Sequence, residues 1–160
     1  MVLEKKIFLI YGEGGHKAQM NRLISGLGID RSQFYHVVDY DIKHDNRSFA
    51  LCPMRLKVKT NFVFSLFYIL HASFVNFFKA VRIYLEHKPD VIVSTGPLIF
   101  FFFFVFAKFS NTKTIYIETW SRFYSRSMSG RIAYLLSDVF YYQNEELKVL
   151  YPHGIYSGRL

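Results

Sequence analysis

A strand, a glycine-rich turn and a helix follow one another over residues 7–27, and this order constrains the fold more than any other feature. The apolar run 7–11 predicts a buried strand, and the apolar side chains from Met20 to Leu27 recur at helical spacing. Three glycines in the turn permit positive φ and close approach of a ligand: Gly12, Gly14 and Gly15. Free N–H groups at the helix start suit a phosphate or diphosphate. His16 adds a titratable group beside them.

This turn does not match the dinucleotide-binding fingerprint. Its spacing is Gly-x-Gly-Gly-His and lacks the third glycine that the fingerprint requires. The alternative to anion binding is a tight strand-to-helix turn without any ligand.

Strands and helices continue to alternate along the rest of the chain. Further strands are predicted over 34–40, 90–94, 113–118 and 138–143. Helices are predicted over about 60–87, 98–107, 127–136 and 145–150. Residues 41–50 are typical of a polar surface loop, and 55–59 of a short strand or a basic lead-in. We therefore expect one α/β domain over 1–160, a doubly wound, mainly parallel, Rossmann-like sheet with helices on both faces.

Polar side chains cluster in the loops that follow the predicted strands. In an open parallel sheet, ligands bind outside the carboxyl ends of the strands. Backbone N–H groups, hydroxyls and guanidinium groups together suit a diphosphate. The candidate diphosphate ligands are Gly12, Gly14, Gly15, His16, Ser94, Thr95, Gly96, Arg122, Ser127, Gly130 and Arg131.

Two of the loop residues are candidates for catalysis. His16 or Glu118 could act as general base on a sugar hydroxyl. Alternatively, Glu118 orients Arg122 or a neighbouring loop, and Ser127–Gly130 is a plain helix cap.

Cys52 is the single cysteine, which excludes a disulfide framework and a cysteine-based zinc site. We expect no metal and no other cofactor.

The charge of the chain favours an anionic partner. The formal net charge is +8, and 18 residues are Phe, a side chain without a polar handle. This combination favours an anionic membrane surface over nucleic acid, and the common RNA-binding signatures are missing.

Neither a nucleophile elbow nor a P-loop is present, which disfavours a serine hydrolase and a P-loop nucleotidase. No signal peptide is visible, so we expect a cytoplasmic domain.

The segment 60–78 contains no Asp, Glu, Lys or Arg, and its length reaches that of a membrane span. Polar residues recur through it, and a span would divide one sheet between the two sides of the bilayer. We expect a helix that lies at the membrane interface, with a buried core helix and a true span as alternatives. The candidate membrane contacts are Phe62, Phe64, Phe67, Leu70, Phe74 and Phe78, with basic residues on either side of the segment.

Several motifs, in this order, resemble one family that matches nearly the whole chain. They are Gly-Glu-Gly-Gly-His at 12–16, Asp-Val-Ile-Val-Ser-Thr-Gly-Pro at 90–97, Ile-Tyr-Ile-Glu-Thr-Trp-Ser-Arg at 115–122, Ser-Met-Ser-Gly-Arg at 127–131 and the ending at 151–160. This set is similar to the half-glycosyltransferases that accompany a separate catalytic chain. The family includes bacterial capsule or exopolysaccharide proteins, such as the β-1,4-galactosyltransferase enhancer. It also includes the membrane-anchor subunit of the eukaryotic transferase that adds the second sugar of the dolichol-linked oligosaccharide.

The resemblance implies a division of labour between two chains. This chain would be the N-terminal, acceptor-binding half of a GT-B glycosyltransferase, inactive without the partner chain that binds the UDP-sugar donor. Its glycine loop would bind a polyprenyl-diphosphate-linked sugar at the cytoplasmic face of the cell membrane, as a peripheral or monotopic protein. Residues of the tail would contact the partner: Tyr156, Arg159 and Leu160. Two alternatives remain: a pure scaffold without acceptor contact, and a self-sufficient enzyme that binds a sugar nucleotide.

Overall fold

The computed structural model describes residues 5–40, 46–54 and 62–160. The strands in this part of the chain are β1 (Ile7–Tyr11), β2 (Tyr35–Val38), β3 (Ser48–Ala50), β4 (Val91–Ser94), β5 (Lys113–Ile117), β6 (Val139–Tyr142) and β7 (Ile155–Tyr156). The helices are α1 (Gly15–Leu27), α2 (Phe62–His87), α3 (Phe100–Ala107) and α4 (Met128–Leu136). The segment predicted over 55–59 lies outside the described residues.

Two local predictions need correction, and one further strand, Ile155–Tyr156, was not predicted. Ser48–Ala50, placed in the polar loop, forms the edge strand β3, because three residues that pair on one side only carry almost no alternation signal. Ile155–Tyr156 likewise forms a second edge strand. The helix predicted over 145–150 is a 3₁₀ segment, Glu145–Val149.

The strands form one parallel sheet in the order β3-β2-β1-β4-β5-β6-β7. The chain builds outward from β1 to β3, then returns to place β4 on the other side of β1. The carboxyl ends of β1 and β4 therefore flank the topological switch point, where doubly wound sheets bind ligands. The predicted Rossmann-like architecture is confirmed.

The larger core lies between the sheet and the helices α2, α3 and α4. Phe8, Ile92 and Phe140 project from the sheet into this core and are buried. The phenylalanine run of α3 supplies three side chains that are fully buried, Phe100, Phe103 and Phe104, whereas Phe101 is exposed. A helix that is apolar almost all round is therefore mainly a core element here.

The opposite face of the sheet is covered by α1. Met20 and Ile24 of this helix pack on Leu9 and Tyr11 of β1. Among the described helices α1 alone packs on this face. On β4, β5 and β6 the same face of the sheet carries apolar side chains that are only half-buried: Val93, Ile115, Val139 and Tyr141.

Helix α2 is anchored to the sheet by its second half only. Its buried residues recur every three or four positions: Ala72, Asn76, Ala80, Ile83 and Tyr84. The Asn76 amide exchanges two hydrogen bonds of 2.8 Å with the backbone of Cys52, just beyond the carboxyl end of β3. Between Phe64 and His71 none of the described side chains is buried. Residues 62–71, roughly 15 Å of helix, therefore extend beyond the carboxyl edge of the sheet.

Candidate functional site

A cleft of about 400 Å³ opens at the carboxyl edge of the sheet. Its walls come from the start of α1, the turn after β4, the loop after β5 and the start of α4. The residues that line it are Gly15, His16, Met54, Pro97, Leu98, Thr119, Ser121, Arg122, Ser127, Met128 and Ser129. Four of the predicted ligands therefore line one cleft: Gly15, His16, Arg122 and Ser127.

The turn at the start of α1 places backbone donors at this cleft. Gly14 has φ +65°, a left-handed conformation that favours glycine, and α1 begins at the next residue. The N–H groups of the first helical turn lack partners within the helix and point out of its end. Gly12 lies behind the cleft, where a Cβ would meet Oδ1 of Asp39 at 2.8 Å and the ring of Pro97 at 3.1 Å.

The imidazole of His16 is held in one tautomer by the turn after β4. Its Nδ1 lies 2.6 Å from the carbonyl oxygen of Thr95. A carbonyl can only accept a hydrogen bond, so Nδ1 donates and the neutral ring keeps its lone pair on Nε2. The Thr95 hydroxyl returns a bond of 3.2 Å to the His16 carbonyl. His16 therefore presents an oriented acceptor nitrogen at the cleft.

Ser94, Thr95 and Gly96 support this histidine from behind. Ser94 and Thr95 are completely buried, and the Ser94 hydroxyl accepts a hydrogen bond of 3.1 Å from the Gly96 N–H. Gly96 has φ +96°, and a Cβ there would lie 2.6 Å from Cε1 of His16. These three residues shape the turn that holds the imidazole.

Glu118 is completely buried beneath the cleft. Its Oε2 accepts hydrogen bonds from the hydroxyls of Tyr151, at 2.7 Å, and Ser127, at 3.1 Å. Its Oε1 accepts a bond of 3.0 Å from the N–H of Thr119. With both oxygens bonded within the protein, the carboxylate serves as a support for the loops around it.

Burial raises the pKa of the Tyr151 phenol well above its usual range, and the charge of Glu118 raises it further. The pKa of Tyr116 is raised for the same two reasons in the same order. Both phenols therefore remain protonated, and Tyr151 remains a donor to Glu118.

Helix α4 begins beside the carboxylate of Glu118. Ser127 caps the helix by accepting a hydrogen bond of 2.8 Å from the Gly130 N–H, as the capping alternative predicted. The Cα of Gly130 faces Glu118 and not the cleft. Arg131 lines a separate hollow of about 340 Å³ with Arg126, so the structure does not bring it to the other predicted diphosphate ligands.

Sequence reasoning missed the apolar side of the cleft. Met54, Leu98 and Met128 line it beside the polar groups. Met54 follows β3, a strand that the sequence pattern did not reveal, and nothing in the sequence links it to this cleft. Ser121 and Ser129 fall inside two loops that were predicted to face the ligand.

The predicted membrane residues of α2 form an exposed apolar surface. Phe67 and Phe74 are about two-thirds exposed, and Phe64, Leu70 and Phe78 are more than half exposed. The side chain of Phe62 lies outside the described residues. One segment of the described chain, Leu66–His87, is long and apolar enough to cross a membrane.

The predicted partner residues lie at the far edge of the sheet. Tyr156 of β7 is half exposed. The Nε of Arg159 donates to Oδ1 of Asn144 at 3.2 Å, and the Leu160 carbonyl accepts a bond of 3.0 Å from Arg22. The tail is thus tied to the end of the sheet that carries the cleft.

The fold defines a Rossmann-like domain of the type found in GT-B enzymes, with a cleft at its switch point that is lined by a helix N-terminus, hydroxyls and one guanidinium group. Residues 7–160 match the family described as "Oligosaccharide biosynthesis protein Alg14 like", and the chain belongs to this family. The UDP-N-acetylglucosamine transferase subunit ALG14 of Yarrowia lipolytica is 29% identical over 97% of this chain and 81% of its own length. The human subunit of the same name is 26% identical over 96% of this chain and 82% of its own.

Solved structures share the fold at low sequence identity. The UDP-GlcNAc 2-epimerase of Methanocaldococcus jannaschii superposes with a TM-score of 0.59 at 15% identity, over 90% of this chain. MurG of Acinetobacter baumannii gives a TM-score of 0.54 at 15% identity, over 87% of this chain. The chain spans 41% of the length of each of these two proteins.

Proposed function

We propose that the chain is the acceptor-binding, membrane-attached subunit of a two-chain glycosyltransferase for capsular or exopolysaccharide synthesis. The acceptor is a polyprenyl-diphosphate-linked sugar, and the UDP-sugar donor binds to the catalytic partner. The observation that carries the proposal is the cleft itself, which combines a helix N-terminus, Arg122 and hydroxyls with an apolar wall. A diphosphate joined to a lipid needs both kinds of surface.

His16 has the geometry of a general base in this reaction. The acceptor hydroxyl attacks the anomeric carbon of the donor sugar, the bond to UDP breaks, and the hydroxyl proton passes to Nε2 of His16. Because the Thr95 carbonyl holds the proton on Nδ1, Nε2 is the nitrogen that can accept. We assign Glu118 a positioning role, since both of its oxygens are bonded inside the protein.

The first experiment measures sugar transfer in membranes that contain a lipid-diphosphate-sugar acceptor, a UDP-sugar and the catalytic partner. We expect strong stimulation by this chain and no turnover by this chain alone. Turnover by the chain alone would instead support a self-sufficient enzyme.

Replacing Arg122 tests acceptor binding against a pure scaffold. We expect Arg122→Ala to raise the KM for the acceptor roughly 10- to 100-fold, the value of a lost charge-assisted hydrogen bond to phosphate. Arg131→Ala is the matched comparison, because this arginine lines the other hollow, and it should change the KM less than about twofold. If both variants keep full stimulation, the chain acts as a scaffold without acceptor contact.

Membrane attachment is proposed to occur through the exposed apolar surface of α2, which runs from Phe64 to Phe78. The first part of this surface, within residues 62–71, lies beyond the carboxyl edge of the sheet, the edge where the cleft opens, so its insertion would bring the cleft to the lipid surface. Lys79 and Arg82 follow the apolar segment and are exposed, in a position to meet anionic headgroups. We propose the cytoplasmic face of the cell membrane as the location.

Substituting two exposed phenylalanines tests this attachment. We expect Phe67→Ser with Phe74→Ser to lower partition into phosphatidylglycerol-containing vesicles at least about tenfold, because each buried Phe is worth about 1.5–3 kcal/mol. Leu135→Ser on α4, a residue that is even more exposed than these two phenylalanines, is the control. Sedimentation with vesicles gives the bound fraction. Unchanged binding of the double variant would exclude this surface.

The partner is proposed to contact the tail and the adjoining sheet face. Ile155 continues the row of Val139 and Tyr141 on the face that α1 leaves uncovered, and it is half exposed. The residues that the family resemblance assigns to the partner lie on or directly after the same strand: Tyr156, beside Tyr142 on the opposite face of the sheet, and Arg159 and Leu160.

A further inference from the structure

The tail, residues 156–160, is joined by side chains to the loop that carries Arg122. We call residues 119–123 the arginine loop. Its members Thr119, Ser121 and Arg122 line the cleft. The connection passes through the two residues that follow β6, Gln143 and Asn144, which are both buried.

Asn144 contacts the arginine loop and the tail at once. Its Nδ2 donates to the carbonyl of Trp120 at 2.7 Å and also to the carbonyl of Arg122. Its Oδ1 accepts a hydrogen bond from Arg159. The guanidinium of Arg159 in turn lies 5.0 Å from the centre of the Phe123 ring. One amide therefore fixes the backbone of Arg122 and faces a residue of the tail.

Gln143 and Arg22 make a second connection between the same two segments. Nε2 of Gln143 donates to the Glu118 carbonyl at 2.8 Å, and its Oε1 accepts from the Leu160 N–H at 2.9 Å. Arg22 donates to the Leu160 carbonyl and stacks over Trp120, 4.6 Å from the ring centre. The tail thus contacts residues that hold both ends of the arginine loop.

We infer that the tail positions the arginine loop through Asn144, so that partner binding at the tail tightens acceptor binding at the cleft. This inference rests on the proposed function, which places the partner on the tail and the acceptor diphosphate at Arg122. By linkage, the acceptor must then strengthen partner binding by the same factor. Asn144 is a positioning residue, since it acts on the acceptor only through Arg122.

Asn144→Asp removes the donor but keeps the shape. The new carboxylate still accepts from Arg159 but places an oxygen against the carbonyls of Trp120 and Arg122. We expect the KM for the acceptor to rise about tenfold, while the KM for the UDP-sugar and the affinity for the partner alone stay unchanged. Asn111→Asp, the same change in the exposed turn before β5, is the matched control. A purely structural role would lower the melting temperature without this KM split.

Arg159 provides a second test that does not depend on how well the Asn144 variant folds. With the partner at saturating concentration, Arg159→Ala should raise the acceptor KM several-fold, and Arg159→Lys, which keeps a donor for Asn144, should restore most of the lost acceptor affinity. An unchanged acceptor KM in Arg159→Ala would show that the tail does not position the loop.

The coupling itself is measured with inorganic pyrophosphate as the probe. We expect saturating pyrophosphate to tighten binding of the catalytic partner to the wild-type chain about fivefold or more. The enhancement should be absent in Asn144→Asp. Pyrophosphate that binds the wild-type chain without changing partner affinity would overturn the coupling and leave the proposed function intact. Failure of pyrophosphate to bind at all would count against both.

Discussion

Replacing Gly130 by alanine is expected to lower the free energy of unfolding by about 3 kcal/mol. A Cβ at this position would lie 1.7 Å from Oε2 of Glu118 and 2.7 Å from the hydroxyl of Tyr151. Both groups are buried and bonded to each other, so neither can move aside without breaking that bond. Displacing Glu118 would also disturb Ser127, the cap of α4. Two costs therefore combine, overpacking and the loss of a buried hydrogen-bond network.

Urea unfolding followed by circular dichroism measures this effect, and Gly26→Ala is its matched control. Gly26 lies inside α1, and a Cβ there would meet nothing within 4 Å. We expect the control to stabilise the chain by roughly 0.5–1 kcal/mol, because alanine loses less backbone entropy in a helix. Equal midpoints for the two variants would show that the Glu118 pocket accommodates a methyl group.

Gly130 also shows where sequence reasoning reached its limit. Its place in a motif predicted a ligand contact, whereas the structure shows that it makes room for a buried carboxylate. The distance between Gly130 and Glu118 depends on how α4 packs against the end of β5, and no local pattern encodes this packing. Arg131 illustrates the same limit, since its neighbour in sequence faces Glu118 while its own side chain lines another hollow.

The elements that could be predicted carry strong local signals. The strand, turn and helix of residues 7–27 combine an apolar run, glycines and helical spacing, and β1 and α1 form almost as expected. Because the carboxyl ends of parallel strands lie at one edge of the sheet, the sequence also predicted that His16, Arg122 and Ser127 lie close together, and all three line one cleft. The short edge strands β3 and β7 carry no such signal, so Met54, which follows β3, was missed.

His16→Ala is expected to lower turnover of the two-chain enzyme about 100-fold or more, the usual contribution of a general base. The reason is the oriented Nε2, which the hydrogen bond from Nδ1 to the Thr95 carbonyl leaves as the acceptor. His153→Ala is the matched control, because this exposed histidine lies in the turn before β7. Initial rates with saturating acceptor and UDP-sugar isolate the chemical step from acceptor binding.

His16→Gln separates a base from a phosphate ligand. The glutamine amide can reach the position of Nε2 and donate a hydrogen bond to a phosphate, but it cannot accept a proton from a sugar hydroxyl. We therefore expect His16→Gln to be as slow as His16→Ala. If glutamine restores turnover, His16 binds the diphosphate, and the proton must leave the acceptor through the partner chain. If both His16 variants stimulate the partner fully, His16 takes no part in the reaction, and only the membrane and partner surfaces of the proposal remain.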